Sequence, residues 1–264
     1  MGRLWLGLIL IGMIALAGGL APWLTPHDPG AMSLKDRLES PSREHPLGRD
    51  ENGSDILSRL LYGARVSLLV ATTVVVISAS VGLVIGSWAA YQGGWTELLL
   101  MRLVDMLYAF PGFLLALAMV AMLGPSLGHL ILALCLTSWT GFARLVRGEV
   151  LHLKEREHVL NAKALGAGSL RIIVRHIWPN LMGLLIVQAT FAMAGTVLSE
   201  SGLSFLGLGV SPSTPTWGSL INSGRRVLSE APHISLSAGG AILLLVLGFN
   251  LLGDGLRRRL DPRR

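Results

Sequence analysis

His152, Glu155 and His158 form an H-x-x-E-x-x-H string, the residue types of metal-assisted hydrolysis. On a helix that turns about 100° per residue, six residues leave the two imidazoles about 240° apart, whereas histidines that share a metal on a helix stand at i and i+4. The string therefore reads as a solvated helix face. Asp50-Glu51-Asn52-Gly53-Ser54-Asp55 is acidic with a glycine turn, yet it lacks the ordered oxygen ligands and closing glutamate of a calcium loop. It reads as a turn leading into a helix over Ile56 to Arg65. His129 stands nearly alone among the apolar runs, and His233, beside Pro232, reads as a loop residue. No catalytic set and no metal site is expected. ATP chemistry is excluded on the same ground: a Walker A loop needs Gly-Lys-Ser/Thr, and the lysines, Lys35, Lys154 and Lys163, follow Leu, Leu and Ala.

Ionisable and helix-breaking residues beside apolar runs carry more information, because charge near lipid is expensive. Arg102 and Asp105, at i and i+3, are expected to form a structural ion pair at the cytoplasmic end of a span. Glu200 lies near the outer end of another. A carboxylate there could meet a peptide amine or a metal cation, or cap the glycine-rich loop that follows, which makes it a candidate for a translocation path. Pro111 frees a backbone carbonyl within a span and is a candidate for a gating kink.

The elements that must hold these residues follow from composition. The 264 residues are 52% hydrophobic and 14% charged, where a soluble domain carries about a quarter charged, and the mean hydropathy is +0.59. Charge-free runs extend over Leu4 to His27, Val66 to Thr96, Met106 to Ala143, His176 to Ser199, Ser201 to Gly224 and Ala231 to Gly253. A membrane helix needs about 20 apolar residues. The run from Met106 is long enough for two and is broken by Gly124-Pro125-Ser126, which predicts a helical hairpin with arms near 99–123 and 127–147. The run from Ser201 holds Pro212, Pro215 and five glycines and reads as an uncharged loop. The expected fold is all-α and integral to the membrane, with six transmembrane helices. Residues 1–24 form an N-terminal anchor helix, too long for the core of a cleaved signal. Residues 25–64 form an extracytoplasmic loop, 65–254 the transmembrane domain, and 255–264 a basic cytoplasmic tail. Cys135 lies inside a span, so no disulfide framework is expected.

Basic residues set the orientation. Seven Lys/Arg against three Glu fall between Arg144 and Arg175, and the tail from Asp254 holds five Arg against two Asp. Both termini and the 144–180 loop are therefore expected in the cytoplasm, although the 28–65 segment, with six basic residues, runs against a bare count. The pI near 10.2 is explained by basic helix ends beside anionic headgroups.

Within that cytoplasmic loop, residues 151–180 are polar enough to leave the membrane and patterned enough to fold. Val159, Ala162 and Leu165/Gly166 recur on one face of a short helix. Gly166-Ala167-Gly168 breaks it, and Ser169 is a plausible N-cap for a second helix that ends at Pro179. Two short helices at a small-residue elbow, with the apolar stripe facing away from the bilayer, suit the docking of a cytoplasmic protein; a hairpin lying on lipid is the alternative.

This segment resembles the coupling loop of binding-protein-dependent ABC transporter permeases, whose pattern is EAA, three residues, Gly, nine residues, I-x-L-P. Ala162, Gly166 and Pro179 fall on the last Ala, the Gly and the Pro, while Leu160, Asn161, His176 and Trp178 depart from it. HPLGRDENGSDILSRLLYGARVSL from His45 resembles the family's HPLGTDELGRDxLSRLxYGARxSL, with Arg49 for Thr and Ser54 for Arg. MRLVDMLYAFPGFLLALAMVA from Met101, ESGLSFLGLGVSPSTPTWGSLI from Glu200 and the closing FNLLGDGLRRRLDPR extend the match to the dipeptide, oligopeptide and nickel branch, second-permease type.

The resemblance implies the type I ABC importer (MetI-like) transmembrane domain, five core helices plus one N-terminal, in a bacterial cytoplasmic (inner) membrane. It implies a second homologous permease, two ATP-binding subunits that carry the ATP and Mg, and an extracytoplasmic substrate-binding protein. The chain itself binds no cofactor and is no enzyme. Arg156, Val159, Ala162, Leu165, Gly166 and Pro179 become the ATPase-coupling residues. Di- and oligopeptides are the expected cargo, nickel or a metal chelate the alternative; an ATP-independent secondary transporter is the reading from another class.

Overall fold

The computed structural model describes residues 2–210 and 214–260; Pro212 of the uncharged loop and residues 261–264 of the tail lie outside them. The elements are α1 (Gly2–Gly19), α2 (Ala21–Leu24), α3 (Ile56–Gln92), α4 (Gly94–Tyr108), α5 (Gly112–Leu123), α6 (Leu127–Leu153), α7 (Glu157–Ala164), α8 (Ser169–Ile172), α9 (Trp178–Phe205), α10 (Trp217–Arg226) and α11 (Pro232–Leu260). Among the described residues five helices are long and apolar enough to cross a membrane, six when the bent pair α4 and α5 is counted as one broken span.

The break at Pro111, within the hairpin arm expected over 99–123, is sharper than a kink in one helix. α4 and α5 meet at 79° across Ala109–Pro111. Pro111 has no N–H to continue α4's ladder, and a proline disfavours helical backbone at the residue before it; the chain restarts with Pro111 as the N-cap of α5. The turn into α6 is as tight as its sequence requires. Gly124 has φ +87°, and Ser126 Oγ accepts from the His129 N–H at 3.1 Å.

α3 is the spine. Its 37 residues span about 55 Å, against about 30 Å of hydrocarbon. It starts at Ile56, so a boundary at 64/65 falls inside one continuous helix. Small residues bring its neighbours close: a Cβ on Gly86 would stand 2.5 Å from the Ala143 carbonyl oxygen of α6. The same device seats α1 on α11, where a Cβ on Gly7 would lie 2.6 Å from the Leu252 nitrogen. In lipid, association depends on such close backbone approach rather than on hydrophobic exclusion.

Contacts at the two ends of α3 orient the rest. Near its start, Trp217 Nε1 donates to the Leu60 carbonyl at 2.9 Å and Ser67 donates to Glu200. Near its end, Lys154 Nζ donates to the Ala90 carbonyl at 3.0 Å and Trp178 Nε1 to Ser87 Oγ at 3.1 Å. α10 and the segment before α3 therefore lie at one end of the bundle, and α7 at the other.

The run from Ser201 is more ordered than the expected loop. α9 continues to Phe205, and Thr216 caps α10 through a reciprocal capping box with Ser219. Gly207, with φ +79°, follows the end of α9 and Pro215 precedes the cap of α10, while Trp217 and Leu220 are buried against α3, α9 and α11. Pro179 does not end a helix either. Ser169 to Phe205 runs as one helical path, with a π-turn over Ile173–Ile177 absorbing the missing proline N–H.

Candidate functional site

The elbow between α6 and α9 is built by a capless start and a glycine stop. Arg156, exposed, is the extended residue before α7. Gly166 ends it with φ +82°, and the Ala167 N–H reaches back to the Ala162 carbonyl at 3.0 Å. Ser169 is the first residue of α8 and makes no capping bond; Gly168 stands at the N-cap. The break after Leu153 also separates His152 from His158. Both are exposed, on different elements, so the histidine string occupies no common face.

The apolar stripe faces the opposite way from the expectation. Val159 is buried with Val150, Ile172, Ile173 and Ile177, and Ala162 packs against that cluster. A stripe of this kind is what seats a short helix on its protein. The outward surface instead carries Leu160, Leu165 and Leu170, which are 49%, 89% and 67% exposed. Pro179, exposed, sits at the first turn of α9. The elbow is thus held firmly below and presents leucines above, with Lys154 and Trp178 tying it to the end of α3.

A groove leads away from this end. Glu149, Asn180, Gln188 and Arg257 help line a cavity of about 610 Å³ between α6, α9 and α11. Gln188 also lines a second of about 310 Å³, with Tyr108, Thr137, Thr140 and Ser199. Pro111 borders an adjoining cleft with Phe110 and Thr137. The inner stretch offers hydroxyl and amide groups and no ionised side chain, which suits a ligand that must bind weakly enough to leave.

Two expected site residues stand elsewhere. Glu200 is fully buried, away from the groove, and accepts from Ser67 at 3.0 Å, Ser204 at 2.9 Å and Ser201 at 3.3 Å. Those hydroxyls replace water around the carboxyl and pin α9 to α3. Asp105 pairs with Arg144 of α6 at 2.5 Å rather than with Arg102, and the Arg144 guanidinium lies 4.2 Å from the Tyr108 ring centre. An Arg preceding its acid along a helix is the weaker order, and α6 supplies a cation that also gains a ring. Arg147 repeats the pattern with Glu97 of α4 at 2.6 Å.

Gln188, Thr137, Thr140 and Ser199 carry no charge, break or motif that marks them in the sequence. On α9 the signal is periodicity: Gln188, Ala192, Gly195, Thr196 and Ser199 are small or polar residues spaced along one face of a largely apolar helix.

The acidic string before α3 is structural. Asp50 is buried and accepts from the N–H groups of Asn52 and Ser54, each at 2.9 Å, and from Arg59. Asp55 caps α3 by accepting from the Ser58 N–H at 2.7 Å. Burial pushes its carboxyl up, but bonds from Ser58 and His45, with the His45 charge, outweigh that and hold it below the usual aspartate range.

Residues 82–264 match the family described as binding-protein-dependent transport system inner membrane component. The chain is 42% identical over 257 residues to the dipeptide transport system permease protein of Alkalihalophilus pseudofirmus, covering 97% of this chain and 84% of the relative. It is 42% identical over 256 residues to the glutathione transport system permease protein of Escherichia coli, covering 97% and 84%. With the all-helical bundle of membrane-length helices, the elbow and the groove in place, the chain belongs to the inner-membrane permeases of binding-protein-dependent ABC importers.

Proposed function

We propose that this chain forms, with a second homologous permease, a path for di- and oligopeptides across the cytoplasmic membrane. Two ATP-binding subunits, which carry the ATP and Mg, seat on the elbow, and an extracytoplasmic binding protein delivers the cargo at the α10 end. The termini and α7 lie in the cytoplasm, in keeping with the basic residues between Arg144 and Arg175. The observation that carries this reading is the elbow, with Leu160, Leu165 and Leu170 exposed on helices whose inner face is buried in the bundle.

Closure of the ATPases moves α7, and the Lys154 and Trp178 bonds pass that motion to the end of α3. Rigid-body motion there alternately opens the groove to either side. The chain supplies access, not chemistry. Relatives named for dipeptide and glutathione transport support peptide cargo. The residues lining the groove include no imidazole or thiol among the described residues, which is unsuited to nickel. Family membership removes the ATP-independent alternative.

Gly166→Arg tests the reading. Nothing lies within 4 Å of a Cβ at Gly166, so the new side chain enters open space and the fold bears only about 1–2 kcal/mol of left-handed strain. Uptake should disappear while the protein remains in the membrane. Normal uptake by that variant would overturn the coupling assignment.

A further inference from the structure

We propose that His27, Glu44 and His45, in the segment between α2 and α3, bind a divalent transition-metal ion of the zinc class. Each residue offers one ligand atom, and the three atoms lie within 4.8 Å of one another. Tetrahedral zinc, with bonds near 2.0–2.1 Å, spaces its ligand atoms about 3.4 Å apart. Glu44 is exposed, and rotation of its carboxylate supplies the closure.

His45 is already arranged as a ligand. It is buried, and its Nδ1 lies 2.9 Å from Asp55 Oδ1. A carboxylate on one ring nitrogen fixes the tautomer, leaves Nε2 as the nitrogen with the free electron pair and raises its basicity, which is the usual support behind a metal-bound imidazole. Asp55 is itself fixed by the first turn of α3. The His27 ring packs on that of His45 with centres 4.3 Å apart, and His27 Nδ1 is buried without a hydrogen-bond partner. Both rings line a cleft of about 80 Å³ together with Asp28 and Asp55.

Arg49 marks where the ion sits. Its Nη2 lies 2.7 Å from His45 Nε2, so a cationic group already occupies that lone pair. The same guanidinium also meets the Gly53 carbonyl and the carboxylates of Asp36 and Glu39. An ion displacing it from His45 costs one hydrogen bond and leaves those three contacts. Two imidazoles and one carboxylate favour zinc-like ions over calcium or magnesium. A bound ion ties the residues after α2 to the turn around His45 and, through Asp55, to the start of α3. This site is separate from the groove and does not depend on what the groove carries.

The test uses the full-length chain, purified in detergent with a histidine-free tag, stripped by chelator and titrated with Zn²⁺ by calorimetry, with Co²⁺ as a spectroscopic probe. The expected result is one Zn²⁺ per chain and a tetrahedral Co²⁺ spectrum. His27→Ala and Glu44→Gln should each weaken binding at least tenfold without shifting thermal unfolding of the stripped protein. Arg49→Thr should strengthen it at least threefold. No binding by the wild type, or binding unchanged in His27→Ala and Glu44→Gln, would overturn the proposal. Equal or weaker binding in Arg49→Thr would overturn the position given to the ion.

Discussion

The two ends of α3 meet opposite kinds of neighbour. At its start, polar groups are buried and answered in place: Asp50 by Arg59, Asp55 by His45 and Ser58, Glu200 by three serines, Trp217 by the Leu60 carbonyl. At its end, two side-chain bonds hold an elbow whose outer surface is leucine and charge. Buried polar groups are costly to leave unpaired, so the first end is fixed in one arrangement. The second end instead leaves Leu160, Leu165 and Leu170 exposed, the surface that the proposed ATP-binding subunits would cover. One end is a frame and the other a handle.

Substitutions at the two ends should therefore fail in different ways. The largest effect is expected from Glu200→Ala, which leaves the hydroxyls of Ser67, Ser201 and Ser204 without their acceptor and should cost about 3 kcal/mol of stability. Thermal unfolding in detergent would read it, and an unshifted transition would remove the frame. Leu165→Asp should leave that transition unchanged and lower uptake about tenfold, since it places charge on the surface to be covered; peptide uptake in reconstituted vesicles measures it. Gln188→Leu removes an amide from the point where the two cavities meet. It should slow uptake about fivefold, the equivalent of one hydrogen bond, while ATP hydrolysis by the complex persists. The smallest effect is Trp178→Phe, which keeps the ring and loses the bond to Ser87. A two- to fivefold loss of substrate-stimulated ATP hydrolysis is expected, and a stability loss in place of a coupling loss would make the second end a frame as well.

What could be read from the chain follows the range of the physics involved. Spans, glycine joints and the elbow depend on local composition, and Gly124, Gly166 and Pro111 act where their sequence neighbours say they should. The direction of the Val159 stripe was not readable, because an amphipathic helix shows that it has an apolar face and not which body covers it. Asp105 and Glu200 find partners 39 and 133 residues away, beyond any i, i+3 rule. Pro179 reads as a helix end in the sequence, yet a π-turn carries the helix through it. The groove residues were hidden by their neutrality, since Gln188 and Thr137 interrupt no charge-free run.

The most direct measurement places a single cysteine at Leu165, in a Cys135→Ala background, and asks what lies against it. The account predicts no labelling by a membrane-impermeant thiol reagent added to intact cells, and a cross-link to an ATP-binding subunit in the assembled complex. Labelling from outside, or a cross-link to the extracytoplasmic binding protein, would contradict it.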